Sequence, residues 1–515
     1  MKARAAAGLA LVLIQGAALL DGVAADPPSR DDEPVLVPGS SLAEFDGRSI
    51  ADLAVFRWNP TASAFEPIPF QIDERVDQVF DPGTPLQFTE RMYDVLGTDD
   101  GLLDSIDELA FMFGDAGPAA PGDSAWVPGA DEARVELRVV SSIPGQSSVT
   151  RWVYVFAGPS LPRSPTSYVD WNGGVASTIT TPVFSIEYQG RWLLTGVRIA
   201  APCGSGDDLI DRVKGRAKIQ FGGQEDEENW SQNSSYLGGI VGPVRAIRYV
   251  RGAASAVNTI HYDVVYRRLW RRDVNLRVHP LVSASLYTDW RSIPGARYFS
   301  PTVVSGVPVD GVTDSVPTTF VPWKVVMTPQ GGLAVVHEIA TSPLYQARVA
   351  MYRDDASFND QIPENPVYGD EDNSAFGDTG IQLQGLADTS TQPIAMWMLA
   401  YPLCANIGDG TVGASYRQFF DNPLQLASVV QQHGLGAVRT LGLVRSGNDL
   451  VLSWQPVAGA TSYRVLTHTN PAAPQLDWTL LVETANPTWS DIGALPGGSR
   501  YYSVIAVGPN GEGDW

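Results

Sequence analysis

The stretch Ala133–Ser141, ARVELRVVS, alternates Val135, Leu137 and Val139 with Glu136 and Arg138. A period of two places apolar and charged side chains on opposite faces of an extended chain, so this segment predicts a half-buried β-strand. The stretch Ser148–Phe156 is a further strand candidate just downstream, and upstream Leu53–Trp58 and Phe65–Ile72 flank Asn59-Pro60-Thr61-Ala62-Ser63 as a hairpin. From Ser167 onward strand signals continue at Trp192–Ile199, Ala217–Phe221, Val244–Arg251, His261–His279, Leu281–Trp290, Trp323–Met327, Leu333–Glu338 and Ala395–Tyr401. Fifty glycines and 38 prolines punctuate these runs, which favours many short strands over long helices. The expected fold is all-β and multidomain. A polar linker at 26–33 leads into an N-terminal β-sandwich at 35–162, followed by a large β-sandwich domain at 167–425 and a third sandwich at 440–515. Within the middle region, Gly222–Ser235 and Asp354–Gly380 read as surface loops, the latter with an acidic turn at Gly369–Asn373. A short helical stretch is expected between Ser415 and His433.

The 515 residues are 44% hydrophobic, ample for several packed cores. A formal net charge of −22 argues against nucleic acid or anionic membrane as partner, because phosphate binding depends on clustered Lys and Arg. Lys2 and Arg4 precede an apolar run from Ala5 to Leu20, and Val23-Ala24-Ala25 offers a cleavage site, so residues 1–25 read as a bacterial-type signal peptide. The expectation is a secreted protein, periplasmic or extracellular, that does not span the membrane. Cys203 and Cys404 are the two cysteines. An oxidising compartment favours a disulfide between them, with two free thiols as the alternative.

Near the C-terminus, Asp449-Leu450-Val451-Leu452-Ser453-Trp454 is a strand ending in Trp, followed by Ala458-Gly459-Ala460 and Ser462-Tyr463-Arg464-Val465. Leu495-Pro496-Gly497-Gly498-Ser499-Arg500-Tyr501, Tyr502–Val507 and Asn510-Gly511-Glu512-Gly513 come later in the same order. This segment, about 440–515, resembles the fibronectin type III domain, which implies a seven-stranded immunoglobulin-like sandwich with a buried Trp and a tyrosine corner. The sequence stops where the final strand of that pattern begins, so the last strand is expected to be missing. The run Gly242-Pro243-Val244-Arg245-Ala246-Ile247-Arg248, with the long strands after it, resembles the galactose-mutarotase-like β-sandwiches of secreted sugar-active proteins.

Two constellations carry candidate chemistry. Tyr93–Gly117 is an acidic, Gly-marked loop in which Thr98, Asp100, Asp104 and Asp107 take positions three, five, nine and twelve of an EF-hand-type loop, with Gly101 at the sixth. Asp100–Asp107 resembles the calcium loop of dockerin modules, which implies a structural Ca²⁺. Leu96 stands at position one, where that pattern has Asp, and a solvated acidic turn is the other reading. In His261–Asp273, HYDVVYRRLWRRD, a single strand would place Tyr262, Tyr266, Arg268, Trp270 and Arg272 on one face. Such a face is a platform for sugar rings or the carboxylates of acidic glycans; the alternative is a strand whose Arg residues pair with the protein's own carboxylates. The chain has no Gly-x-Ser-x-Gly or His-Glu-x-x-His motif, and His337 reads as structural. The function expected is binding of extracellular material, either glycan or cell-envelope surface. A polysaccharide lyase or glycoside hydrolase with its site in the middle domain is the alternative, and a non-catalytic structural or protein-binding exported protein the third reading.

Overall fold

A computed structural model describes residues 29–512 except 122–123, 132, 221–222, 359–373, 406–409, 433–437, 439–440, 458–459, 472, 474–476, 495–498 and 509–510. Residues 1–28, which include the stretch read as a signal peptide, the expected acidic turn at 369–373, His433, Asn510 and the 458–459 and 495–498 portions of the C-terminal motif lie outside the described residues, as do residues 513–515. Strand makes up 52% of the structure and helix 8%, in several antiparallel sheets, so the protein is an all-β assembly of sandwiches. Among the described residues no helix is long and apolar enough to cross a membrane.

The strand Ala133–Ser141 forms as its alternation dictates. Val135, Leu137 and Val139 are fully buried while Arg138 faces solvent. Its sheet runs Gln425–Gln432, Ala133–Ser141, Val149–Ala157, Leu53–Asn59, Ala64–Pro67. It packs through Val55, Leu137 and Phe156 against a second sheet of Pro34–Pro38, Glu108–Met112 and Gln71–Asp73. The expected strand Phe65–Ile72 is divided between these two sheets. Pro67 and Pro69 lack the N–H a continuous ladder needs, so the chain crosses over between them. The edge strand Gln425–Gln432 returns from beyond the large domain and takes up much of Ser415–His433, the range expected to hold a helix; the helix itself runs Val412–Asp421.

The large domain is built on a nine-stranded sheet in the order Ser235–Val241, Arg245–Arg251, Ile260–Tyr266, Leu269–Leu276, Ile394–Leu403, Gly331–Ile339, Trp323–Thr328, Arg297–Ser300, Val303–Pro308. Its inner face packs on a four-stranded sheet between Asp170 and Ile199 and on a five-stranded sheet. The five strands are, in order, Gln224–Asp226, Ile210–Ile219, Leu281–Trp290, Ala375–Leu386 and Ala347–Asp355. Its outer face is covered by the N-terminal sandwich, the hairpin Arg75–Phe80/Phe88–Tyr93 and the helix Val412–Asp421. Gly222–Ser235, expected as a loop, contributes the strand Gln224–Asp226 and the helix Glu227–Gln232. Asp226 caps that helix by accepting from Asn229 N, and Trp230 is buried over Gly215, whose lack of a Cβ makes room for the indole.

Cys203 and Cys404 are joined as a disulfide that closes a loop of 201 residues. A link of this kind contributes about 2–4 kcal/mol through the unfolded chain. The C-terminal unit has two sheets, Gly442–Ser446, Asp449–Ser453, Thr488–Asp491 and Thr479–Thr484, Ser462–His468, Tyr501–Gly508, Gly511–Glu512. Leu452, Trp454, Tyr463 and Val465 fill its core, the Trp454 and Tyr463 rings meeting edge-on at 5.3 Å. At the edge where the sequence suggested a missing strand, the two residues Gly511 and Glu512 pair with Gly508 and Val507.

Candidate binding cleft

The hairpin that carries the expected platform has its turn at Arg267-Arg268, with Tyr266 paired opposite Leu269. Paired residues share a face, so the turn shifts the alternation and divides the expected set. Tyr262 and Tyr266 point to the outer face, whereas Trp270 and Arg272 point into the sandwich, each about 2% exposed or less. There Asp263 accepts from Trp270 Nε1 (2.8 Å) and bidentately from Arg272 (2.8 and 2.9 Å). A buried indole offers no face to a sugar, so the five-residue platform does not form. Arg268, at the turn, lies 3.3 Å from Asp32. Tyr262 donates to Asp273, which also holds Arg271 through two bonds of 2.6 Å.

The same alternation opens a cleft on the outer face. Leu269 and Arg271 project there from one strand and Trp397, Leu399 and Tyr401 from its neighbour. The helix Val412–Asp421 adds Phe419 and Phe420, and the connection after it adds Pro423 and Leu424. The far wall is Glu33 with the edge strand Pro34–Pro38 of the N-terminal sandwich. The enclosed volume is about 520 Å³, within the range of small-molecule sites. A second cavity of about 30 Å³, with Asp32, Arg268 and Tyr416 in its lining, adjoins the cleft and shares Glu33, Tyr401 and Phe419 with it.

Glu33 is the acidic residue among those lining the cleft. Burial pushes its carboxyl up to about 7, against the pull of Arg30, whose Nε is 3.3 Å from Oε2. Arg30 is itself held by the carbonyls of Phe419 (3.1 Å) and Asn422 (2.5 Å) and sits over the Phe419 ring. A cation at a helix C-terminus meets carbonyls that have no partner within the helix, so this contact fixes the helix against the N-terminal segment. Arg245, fully buried, fastens the N-terminal sandwich beside the cleft by donating to Asp73 (2.8 Å), Glu108 (2.7 Å) and Tyr266 Oη (3.2 Å).

The acidic loop spends its carboxylates on its own backbone. Asp94 accepts from Thr98 N, Thr98 Oγ1 and Asp99 N. Asp104 accepts from Ile106 N, and Asp107, 1% exposed, from Arg75 N and Asp104 N. Of the expected set, Asp100, Asp104 and Asp107 are not grouped closely enough to share an ion among the described residues. Asp100 instead adjoins Glu74 and Asp99, and among the described residues these three form the acidic group spaced closely enough to share an ion. Burial, then the charges of Asp99, Asp107 and Asp94, raises Glu74.

Sequence reasoning missed Glu33, Trp397, Leu399, Phe419 and Phe420. Glu33 fell in an apparent linker. The available signal was Ile394–Leu403, whose two faces are both apolar, the mark of a strand covered on each side. No protein-family model and no curated protein matches the chain.

Proposed function

We propose that this is an exported binding protein that holds an amphipathic component of extracellular material, a glycan or a cell-envelope molecule, in the cleft between its N-terminal sandwich and its nine-stranded sheet. The observation that carries the reading is the cleft itself: Tyr266, Trp397, Tyr401, Phe419 and Phe420 converge on about 520 Å³ with Glu33 and Arg271 at its walls. Aromatic faces and leucines suit the apolar side of a ligand, and two polar groups set its orientation. Export is supported by the N-terminal pattern and by the Cys203–Cys404 disulfide, and the C-terminal unit is read as a fibronectin type III-like spacer. Hydrolysis of a glycosidic bond canonically uses two carboxyl groups flanking it, and among the described residues the cleft lining supplies Glu33 alone.

The test is retention on immobilised neutral and acidic polysaccharides and on phospholipid and glycolipid vesicles, comparing wild type with Trp397→Ala and Leu424→Glu. Retention of wild type on one of these surfaces, lost in both variants while their melting temperatures hold, is expected. Retention on none, or equal retention by all three proteins, overturns the reading.

A further inference from the structure

The five-stranded sheet carries a polar cluster remote from the cleft lining. Lys214, Asp289 and Asp378 sit on three successive strands, Ile210–Ile219, Leu281–Trp290 and Ala375–Leu386, and each is 0% exposed. Lys214 lies opposite Tyr287, so Asp289, two residues on, shares its face. Asp378 precedes Thr379, the partner of Thr288, which brings it alongside Asp289. Lys214 Nζ is 2.5 Å from Asp289 Oδ2, and Asp289 Oδ1 accepts from Phe376 N (3.1 Å). Arg353 Nη1 stands 4.0 Å from Asp378.

Burying an ammonium beside a carboxylate without water costs nearly as much as their attraction returns. Moving the proton across gives a neutral amine against a neutral carboxyl and removes both charges. Burial already pushes the Asp289 carboxyl up to about 6, against Lys214 and the hydrogen bond with Asp378. An amine and a carboxylic acid held in contact in a dry interior are the reactants of amide formation. The strands fix their approach, which supplies the entropy that two free molecules would have to lose.

We propose that Lys214 and Asp289 are joined by an intramolecular isopeptide bond, formed after folding with Asp378 as the proton relay. The Lys214 Nζ lone pair attacks Cγ of the protonated Asp289 carboxyl, giving a tetrahedral centre. Asp378 takes a proton from Nζ and delivers one to the departing hydroxyl; the C–O bond breaks and one water leaves. No oxidant or co-reactant enters. The product fastens two neighbouring strands covalently in a region the Cys203–Cys404 disulfide does not reach.

The test is tryptic peptide mapping of the reduced full-length protein by mass spectrometry. An acylated Lys214 resists trypsin, so wild type yields a branched species joining Val213–Arg216 to Val278–Arg291, lighter by one water than the two peptides together. Lys214→Arg removes the branch, and Asp378→Asn, which keeps the Lys214–Asp289 pair, reduces the branched fraction at least tenfold. Cleavage after Lys214 together with linear Val278–Arg291 as the sole products from folded wild type overturns the proposal. A full branch in Asp378→Asn overturns the relay.

Discussion

The two faces of the nine-stranded sheet are made by alternate residues of the same strands and both bury Arg–Asp pairs, yet they differ in the other polar groups they hold. On the outer face Arg245, Arg271 and Tyr262 each meet a carboxylate, and Glu33, beside Arg30, is the acidic residue lining the cleft. The inner face pairs Arg272 with Asp263 but also buries His261, Lys324 and His337, and among the described residues nothing bonds to the His261 ring nitrogens, Lys324 Nζ or His337 Nδ1. Burial, and then neighbouring cations, holds both histidines well below their ordinary range; burial alone lowers Lys324 to about 7. The difference teaches that the inner face is a closed core tolerating neutral bases, whereas the outer face is an interface that opens into a cleft.

The largest effect should come from breaking the outer face. Arg245→Ala leaves Asp73 and Glu108 buried without their cation and is expected to cost about 3–5 kcal/mol, read by urea unfolding. An inner-face change of opposite sign comes next. Lys324 has a folded pKa near 7 against 10.5 unfolded, so the unfolded chain binds more protons between these values and stability rises with pH across that window. Lys324→Met should therefore stabilise the protein by about 2–4 kcal/mol at pH 6 and flatten this rise, with His337 as the facing titratable group. Unfolding midpoints at pH 6 and pH 10 check both parts.

Glu33 sharpens the contrast from the cleft side. Its folded pKa near 7 lies above the unfolded 4.5, so the folded state binds the extra proton and stability falls as pH rises through that interval. Glu33→Gln should gain about 1–3 kcal/mol at pH 8 and little at pH 4, measured by denaturant titration at the two pH values. The smallest effect is expected from calcium. Because Asp94, Asp104 and Asp107 are committed to backbone donors, chelator-treated and calcium-saturated protein should melt within about 2 °C of each other by calorimetry, whereas a shift of about 5 °C or more would assign Glu74, Asp99 and Asp100 a cation.

The strands were legible wherever alternation was strong: Ala133–Ser141 forms with the limits its pattern implies. The hairpin turn at Arg267-Arg268 was not, because neither residue belongs to the Gly and Asn types that announce tight turns, and missing it inverted half of the predicted face. The return of Gln425–Gln432 to the first sheet was also illegible, since pairing between strands almost 300 residues apart leaves no local mark. The acidic loop attracted notice through density of charge, yet its carboxylates serve the turn itself. The carboxyl with a place in the cleft is a single Glu next to two Asp residues in an apparent linker, and burial by distant strands is what distinguishes it.

The most direct test of the account is hydroxyl-radical footprinting of the full-length protein with and without the polysaccharide or vesicle that retains it. Protection of Trp397, Phe420 and Leu424, with Val304 and Leu443 unchanged, is the predicted result; unaltered labelling of the cleft residues alongside protection elsewhere would contradict it.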